Sequence, residues 1–254
     1  MIRAMIFDLD GTLVNTEELK ALAYSRAISQ LRGAEISKET VLGAYQQVVG
    51  QTRDAASRFL MEQLGLEEIC RTLMPQYGVA EPWQVLTAMR VTIYQEMIAD
   101  PEVLRASQWP HNVGLLRIAR TEGCRTALAT SSYTHEAHQV LAALDLEDQF
   151  DVVIGVDQVQ HPKPDPEIYL LAAERLAVPP EECMVIEDSP PGVRAGLAAG
   201  MNVIAVATPF TVDRLHAAGQ ISHQWVVHEP DRLLEVVEDR VREHNRTVHR
   251  REEA

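Results

Sequence analysis

The sequence predicts an α/β protein, a parallel sheet covered by helices on both faces, with a helical unit inserted near its start. Three observations carry this expectation. From residue 111 onward short apolar runs alternate with helical patterns, an alternation that implies right-handed crossovers and parallel strands. Those runs lack polar alternation, as strands buried on both faces do. Between residues 16 and about 100 the texture is helical, and it separates one N-terminal apolar run from all the others.

The elements follow in order. Ala4-Met5-Ile6-Phe7 is the first strand. Apolar residues at helical spacing predict helices over 17–32, 37–48, 53–64 and 82–99, with Ser37 ahead of Glu39-Thr40 and Asp54 as start signals. A helix over 113–121 stops at Gly123, and a strand over 126–129 follows. Then come a helix over 135–144, a strand over 152–154, a helix over 167–176, a strand over 184–186, a helix over 193–199 and a strand over 203–206. Asp165-Pro166 and Ser189-Pro190 set an N-cap residue before a proline, and Gly123 and Gly200 stand where a C′ glycine belongs. The expected organisation is a discontinuous core of residues 1–15 and 100–230, a helical cap over 16–99, and a charged helical tail over 231–254.

Bulk properties narrow the function. The 254 residues carry 23 Lys and Arg against 37 Asp and Glu, a formal net charge of −14, which argues against nucleic acid as a partner. An anionic substrate would need locally concentrated positive charge, and a bound divalent metal is one source. No apolar run approaches the roughly 20 residues that span a bilayer, so no membrane association is expected, and Met1-Ile2-Arg3-Ala4 does not open a secretory leader. Cys70, Cys124 and Cys183 are odd in number and far apart, the usage of reduced thiols in a cytoplasmic protein. Oligomeric state is left open, a monomer being compatible.

Ligands of open parallel sheets bind beyond the carboxyl ends of the strands. Asp8-Leu9-Asp10-Gly11-Thr12 follows the first strand and Thr130-Ser131-Ser132 the second; His161-Pro162-Lys163-Pro164 ends the loop after the third, and Glu187-Asp188-Ser189 follows the fourth. Singly, each has a plain alternative: a hairpin turn at Asp10-Gly11, a helix cap at Glu187-Asp188-Ser189, an ordinary loop, a solvated lysine. None of these explains why all four clusters follow parallel-strand candidates. Together they suit a phosphate ester held beside a hard metal ion. Asp8 can attack phosphorus. Asp10 can protonate the leaving alcohol and later deprotonate water. Mg²⁺ prefers oxygen ligands, which Asp8, the Asp10 carbonyl and Asp188 can supply, with Glu187 helping directly or through water. Lys163 adds a point charge, and Thr130 and Ser131 with nearby N–H groups can take the non-bridging oxygens. His135 and His138 lack a third ligand for zinc and are read as a solvated helix face. His111, after Trp109-Pro110, is read as rim or packing.

The set DLDGT, the hydroxyl after ALA, the lysine of HPKPDPEIY and IEDSPPGVRAGLAAGM resembles the four motifs of the haloacid dehalogenase superfamily, in its phosphatase and phosphomutase branch, over nearly the whole chain. The resemblance implies a Rossmann-like three-layer α/β/α core, a helical cap, magnesium dependence, Asp8 as nucleophile, Asp10 as general acid/base, Thr130 as phosphate ligand, Lys163 as charge partner and Asp188 as metal ligand. The cap is then expected to choose the substrate, a small sugar or polyol phosphate, with Arg53 and Lys20 as its candidate contacts. Gly50 and Arg53 resemble a segment of the β-phosphoglucomutase subgroup, but Val49 stands where that subgroup has a lysine, and Lys20 lies near where it has a histidine. Hydrolysis through an aspartyl-phosphate is therefore expected ahead of a mutase outcome. A non-catalytic phospho-ligand sensor comes third, since Asp8, Asp10 and Lys163 are all retained.

Overall fold

The computed structural model describes residues 1–252, so the last two residues of the expected tail, 253–254, lie outside the described residues. The chain divides into two compact units, one formed by Met1–Asn15 with the chain from Ser107 onward, the other by Thr16–Ala106.

The first unit is built on a six-stranded, all-parallel sheet: β1 (Ala4–Phe7), β2 (Arg125–Ala129), β3 (Val152–Ile154), β4 (Cys183–Glu187), β5 (Asn202–Val206) and β6 (Val226–Val227), in the order β3-β2-β1-β4-β5-β6. Strand order reverses between β1 and β4, which opens a crevice beyond their carboxyl ends. Every residue of β1 and β4 is buried, and burying a side chain such as Ile6 or Phe7 is worth about 1.5–3 kcal/mol.

The helices of this unit are α7 (Pro110–Thr121), α8 (Thr134–Ala143), α9 (Glu167–Leu176), α10 (Pro190–Ala198), α11 (Val212–Ala218) and α12 (Leu233–Glu252). Ile168, Tyr169, Ala172 and Ala173 of α9 and Val193 of α10 close over the face that bears Ala4, Ile6, Ala127, Val185 and Val203. Helices α7 and α12 also pack against the sheet, and the alternate residues Met5, Phe7, Leu128 and Ile186 are buried as well. Apolar side chains on both faces of each strand thus give three layers.

The second unit is helical among its described residues: α1 (Thr16–Arg32), α2 (Lys38–Gln46), α3 (Arg53–Gln63), α4 (Glu67–Tyr77), α5 (Pro82–Met97) and α6 (Pro101–Ala106). Ser37 caps α2 by accepting from Thr40 N, and Thr52 caps α3 by accepting from Ala55 N.

The structure departs from the sequence reading in identifiable places. Helices α6 and α11 and the two-residue strand β6 are too short to announce themselves, whereas α4 is amphipathic over 11 residues and was readable but overlooked. The boundary expected near residue 100 falls at Ala106, because α6 joins the helical unit. The expected charged helical tail is α12, and its start belongs to the first unit through buried Leu233, Val236 and Val237. At α9, Pro166 rather than Asp165 occupies the N-cap, yet the Asp165 carboxylate still accepts from Glu167 N at 3.0 Å. Ser189 does cap α10, accepting from Gly192 N.

Candidate active site

Asp8 is the first residue past β1, and its N–H continues the ladder by donating to Ile186 O at 3.0 Å. The chain then turns sharply. Gly11 N donates to Val14 O at 2.8 Å and Leu13 N to Leu9 O at 2.8 Å, with Gly11 at φ +87°. A side chain at Gly11 would collide with Asp188 at the end of β4, since a Cβ there would lie 2.3 Å from Asp188 Oδ2. Glycine therefore serves both the backbone conformation and the close approach of the Asp188 carboxylate to the Asp8–Asp10 turn.

Lys163 is the electrostatic centre. Its ammonium, on a side chain 1% exposed, donates to Asp8 Oδ1 at 2.8 Å, Glu187 Oε1 at 2.7 Å and Ala129 O at 3.0 Å. All three of its N–H bonds are thereby used. Burial works against the charge on Lys163, but Asp8 and Glu187 outweigh it and hold the lysine well above its ordinary value. Burial pushes Asp8 up to about 8, with Glu187 and Asp10 adding to the shift and Lys163 opposing it.

Glu187, expected among the metal-facing carboxylates, is committed elsewhere. Its Oε1 accepts from Lys163 and from Tyr169 OH at 3.2 Å, and its Oε2 accepts from Ser189 N at 2.8 Å and Ser189 Oγ at 3.0 Å. Its direct protein contacts are to Lys163, Tyr169 and Ser189, so it orients the lysine. Gly192 is what lets it fit, because a Cβ there would lie 1.7 Å from Glu187 Oε1. The Asp10 carboxylate accepts from Ser132 Oγ at 2.6 Å, an arrangement compatible with the Asp10 carbonyl as the atom expected to face a metal.

On the loop after β2, Thr130 is fully buried, and its Oγ1 accepts from Ser132 N at 3.1 Å. That bond leaves the Thr130 hydroxyl proton to donate. Ser131 lies between them, partly exposed.

The donor set fits a hard divalent ion. Asp8, Asp10, Glu187 and Asp188 set four carboxylates against the single ammonium of Lys163 in this cluster, and Asp188 is held against the turn that carries the Asp10 carbonyl. Oxygen-only ligation and this surplus of negative charge are what Mg²⁺ favours. Among the described residues, the group of three side chains whose ligand atoms approach within 4.8 Å is a different one, His161, Asp165 and Glu167. There Glu167 is already occupied, accepting from Gln160 N and His161 N, both at 2.8 Å, and from His161 Nδ1 at 2.9 Å. It braces the loop that carries Lys163. His111 lines a cavity of about 190 Å³ beside Gly11, together with Trp109, Thr208 and His228.

In the helical unit, Lys20 donates to Glu17 Oε1 at 3.1 Å, and Glu17 Oε2 accepts from Tyr45 OH. Arg53 opens α3, and its carbonyl accepts from Tyr24 OH at 3.5 Å. Burial raises the Tyr24 phenol against the opposing charges of Arg90, Arg53 and Lys20, so the two predicted cap cations share one neighbourhood. Arg90, 4% exposed over the Tyr24 and Tyr94 rings, is a third cation there that the sequence reading missed. Ser132, Tyr169 and Ser189 were also missed as working parts, although each lies inside a motif that was singled out.

A family model described as haloacid dehalogenase-like hydrolase matches residues 2–200. Among curated proteins, the chain is 32% identical over 203 residues to a phosphorylated carbohydrates phosphatase of Thermotoga maritima, covering 80% of this chain and 84% of that one. It is 36% identical over 223 residues to hexitol phosphatase A of Escherichia coli, covering 87% and 90%. Among solved structures, a Thermotoga maritima protein named as a β-phosphoglucomutase aligns with a TM-score of 0.67 and 30% identity, covering 93% of this chain and 99% of that one.

Proposed function

We propose that this chain, which belongs to the haloacid dehalogenase-like hydrolase family, is a phosphatase that removes phosphate from a small sugar or polyol phosphate monoester through an aspartyl-phosphate on Asp8. The observation that carries this reading is the separation of two carboxylates into two settings. Asp8 is clamped by Lys163 at 2.8 Å, while Asp10 is held by the Ser132 hydroxyl at 2.6 Å. A nucleophile and a proton carrier need such separate environments.

In the first step an Asp8 oxygen forms a bond to phosphorus while the ester P–O bond breaks, and Asp10 gives its proton to the departing alkoxide. In the second, water attacks the same phosphorus, Asp10 takes a proton from it, and the bond from phosphorus to Asp8 breaks to release phosphate. Lys163 keeps the Asp8 carboxylate aimed and partnered. Thr130 and neighbouring N–H groups donate to the non-bridging oxygens as charge moves onto them. Mg²⁺, held by Asp8, the Asp10 carbonyl and Asp188, would supply the positive charge that lets a carboxylate meet a phosphate dianion. Arg53 and Lys20 are assigned to selecting the sugar, and a cytoplasmic setting accords with the free thiols of Cys70, Cys124 and Cys183. Among the described residues no helix is long and apolar enough to cross a membrane.

The test is phosphate release from a panel of sugar and polyol phosphates with Mg²⁺, followed also by phosphorus NMR, with Asp8→Asn as control. Release confined to a few esters and abolished in the control is the expected result. Likeness to a protein named as a β-phosphoglucomutase favours the second reading, a sugar phosphomutase; conversion of a sugar 1-phosphate to its 6-phosphate without free phosphate would replace hydrolysis by it. No Asp8-dependent chemistry on any ester would remove both and leave a phospho-ligand sensor.

A further inference from the structure

We infer that Ser132 is a positioning residue for Asp10, the group that decides whether a poor leaving alcohol can depart. The inference rests on the proposed acid/base role of Asp10 and concerns a hydroxyl that this role does not itself require. Asp10 and Ser132 follow β1 and β2, neighbouring strands, and Ser132 Oγ donates to Asp10 Oδ2 at 2.6 Å. Ser132 is itself fixed at both backbone ends: its N–H donates to Thr130 Oγ1 at 3.1 Å, and its carbonyl accepts from Val156 N at 3.0 Å. The short side chain that carries the donor is thus mounted on backbone tied to two strand ends.

This geometry makes the two oxygens of Asp10 unequal. With Oδ2 accepting from Ser132, the proton of the neutral acid resides on Oδ1, so the oxygen that protonates the leaving group is singled out and the carboxyl plane is held. When Oδ1–H gives its proton to the alkoxide, the ester P–O bond breaks, the alcohol leaves neutral and Asp10 becomes a carboxylate. The Ser132 bond to Oδ2 then becomes charge-assisted, and it strengthens as the negative charge develops. Without Ser132 the carboxyl group loses the donor that distinguishes its two oxygens. Loss of alignment on this scale weakens a step that depends on it far more than one that does not.

The consequence is specific to the leaving group. An aryl phosphate departs as a stabilised phenoxide and gains little from an acid, whereas an alkyl phosphate must be protonated. The experiment measures kcat/KM, which reports the steps through alcohol release, for the Mg²⁺-loaded full chain on a series of aryl and alkyl phosphates ordered by leaving-group pKa. For Ser132→Ala, kcat/KM should fall roughly 10- to 100-fold on alkyl esters and less than about 3-fold on p-nitrophenyl phosphate, a share of the acid contribution of 10²–10⁴. The plot of log kcat/KM against leaving-group pKa should steepen, and Ser132→Thr, which keeps the hydroxyl, should restore the shallow slope. Equal losses across the series, or losses that follow the shape of the ester and not its pKa, would overturn the inference, as would no loss at all. Wild-type protein that shows no Asp8-dependent turnover of any ester would remove the phosphatase reading beneath it. That outcome is separable, because it appears before any Ser132 variant is compared.

Discussion

Lys163 shows at the scale of a single residue how the site is held. An ammonium on a side chain 1% exposed is costly unless paired, and here Asp8, Glu187 and the Ala129 carbonyl take all its donors. Lys163→Met should abolish turnover and lower stability by about 3–5 kcal/mol, the usual cost of breaking a buried pair, measured by urea unfolding in the absence of added metal. The clustering of Asp8, Asp10, Lys163 and Asp188 was legible because residue type and position after a strand both pointed to it. The partners of Glu187 were not legible for a physical reason: a sequence shows that a carboxylate is present, not which donors reach it. Tyr169 and Ser189 donate to it from the first turn of α9 and the N-cap of α10; Ser189 is a local partner two residues on, while no spacing rule connects Tyr169 to Glu187.

At the scale of an element, the loop into α9 has to present Lys163 at a fixed depth, and Glu167 closes that loop on itself through Gln160 N, His161 N and His161 Nδ1. The Gln160 and His161 N–H groups hold the Glu167 carboxyl below its ordinary value. A lowered folded-state value means that this stabilisation is present above the unfolded glutamate pKa of about 4.3 and is lost as pH falls through the lower folded one. Melting curves should therefore show Glu167→Gln less stable than wild type near pH 7, the gap closing under acid; a gap that stays constant down to pH ~3 would exclude the carboxylate as its source. The long helices were readable from apolar spacing, and the strands over 126–129, 152–154, 184–186 and 203–206 as short continuous apolar runs alternating with helical patterns. Strand β6, with two residues, and α11, with seven, are held by their neighbours and leave almost no pattern of their own.

At the scale of the whole molecule, the alternation of strand and helix foretold the parallel sheet, and the net charge of −14 foretold that an anionic substrate would need concentrated cations. The Lys163 cluster does not invert that sign, since four carboxylates surround one ammonium; within the second unit Lys20, Arg53 and Arg90 gather around Tyr24. The carboxylate-rich set at the turn adds a measurable consequence. Mg²⁺ that binds only the folded state should raise the melting temperature in proportion to ln(1 + [Mg²⁺]/Kd). Asp188→Asn should flatten that response in a thermal titration, whatever its effect on catalysis.

The two points where the chain leaves and rejoins the sheet-bearing unit are tied to each other. Asn15 N donates to Ser107 O at 2.7 Å, Trp109 N donates to Leu13 O at 2.9 Å, and Val14 bridges Gln108 in antiparallel fashion. From the standpoint of the strands, everything between Asn15 and Ser107 is one loop whose ends already meet. Each doubling of such a loop costs only about 0.6 kcal/mol of closure entropy. The sheet is therefore a socket: helical modules of different size and surface can be exchanged across that clasp over evolutionary time, and a lineage can acquire new substrates while the residues that break the ester bond stay where they are.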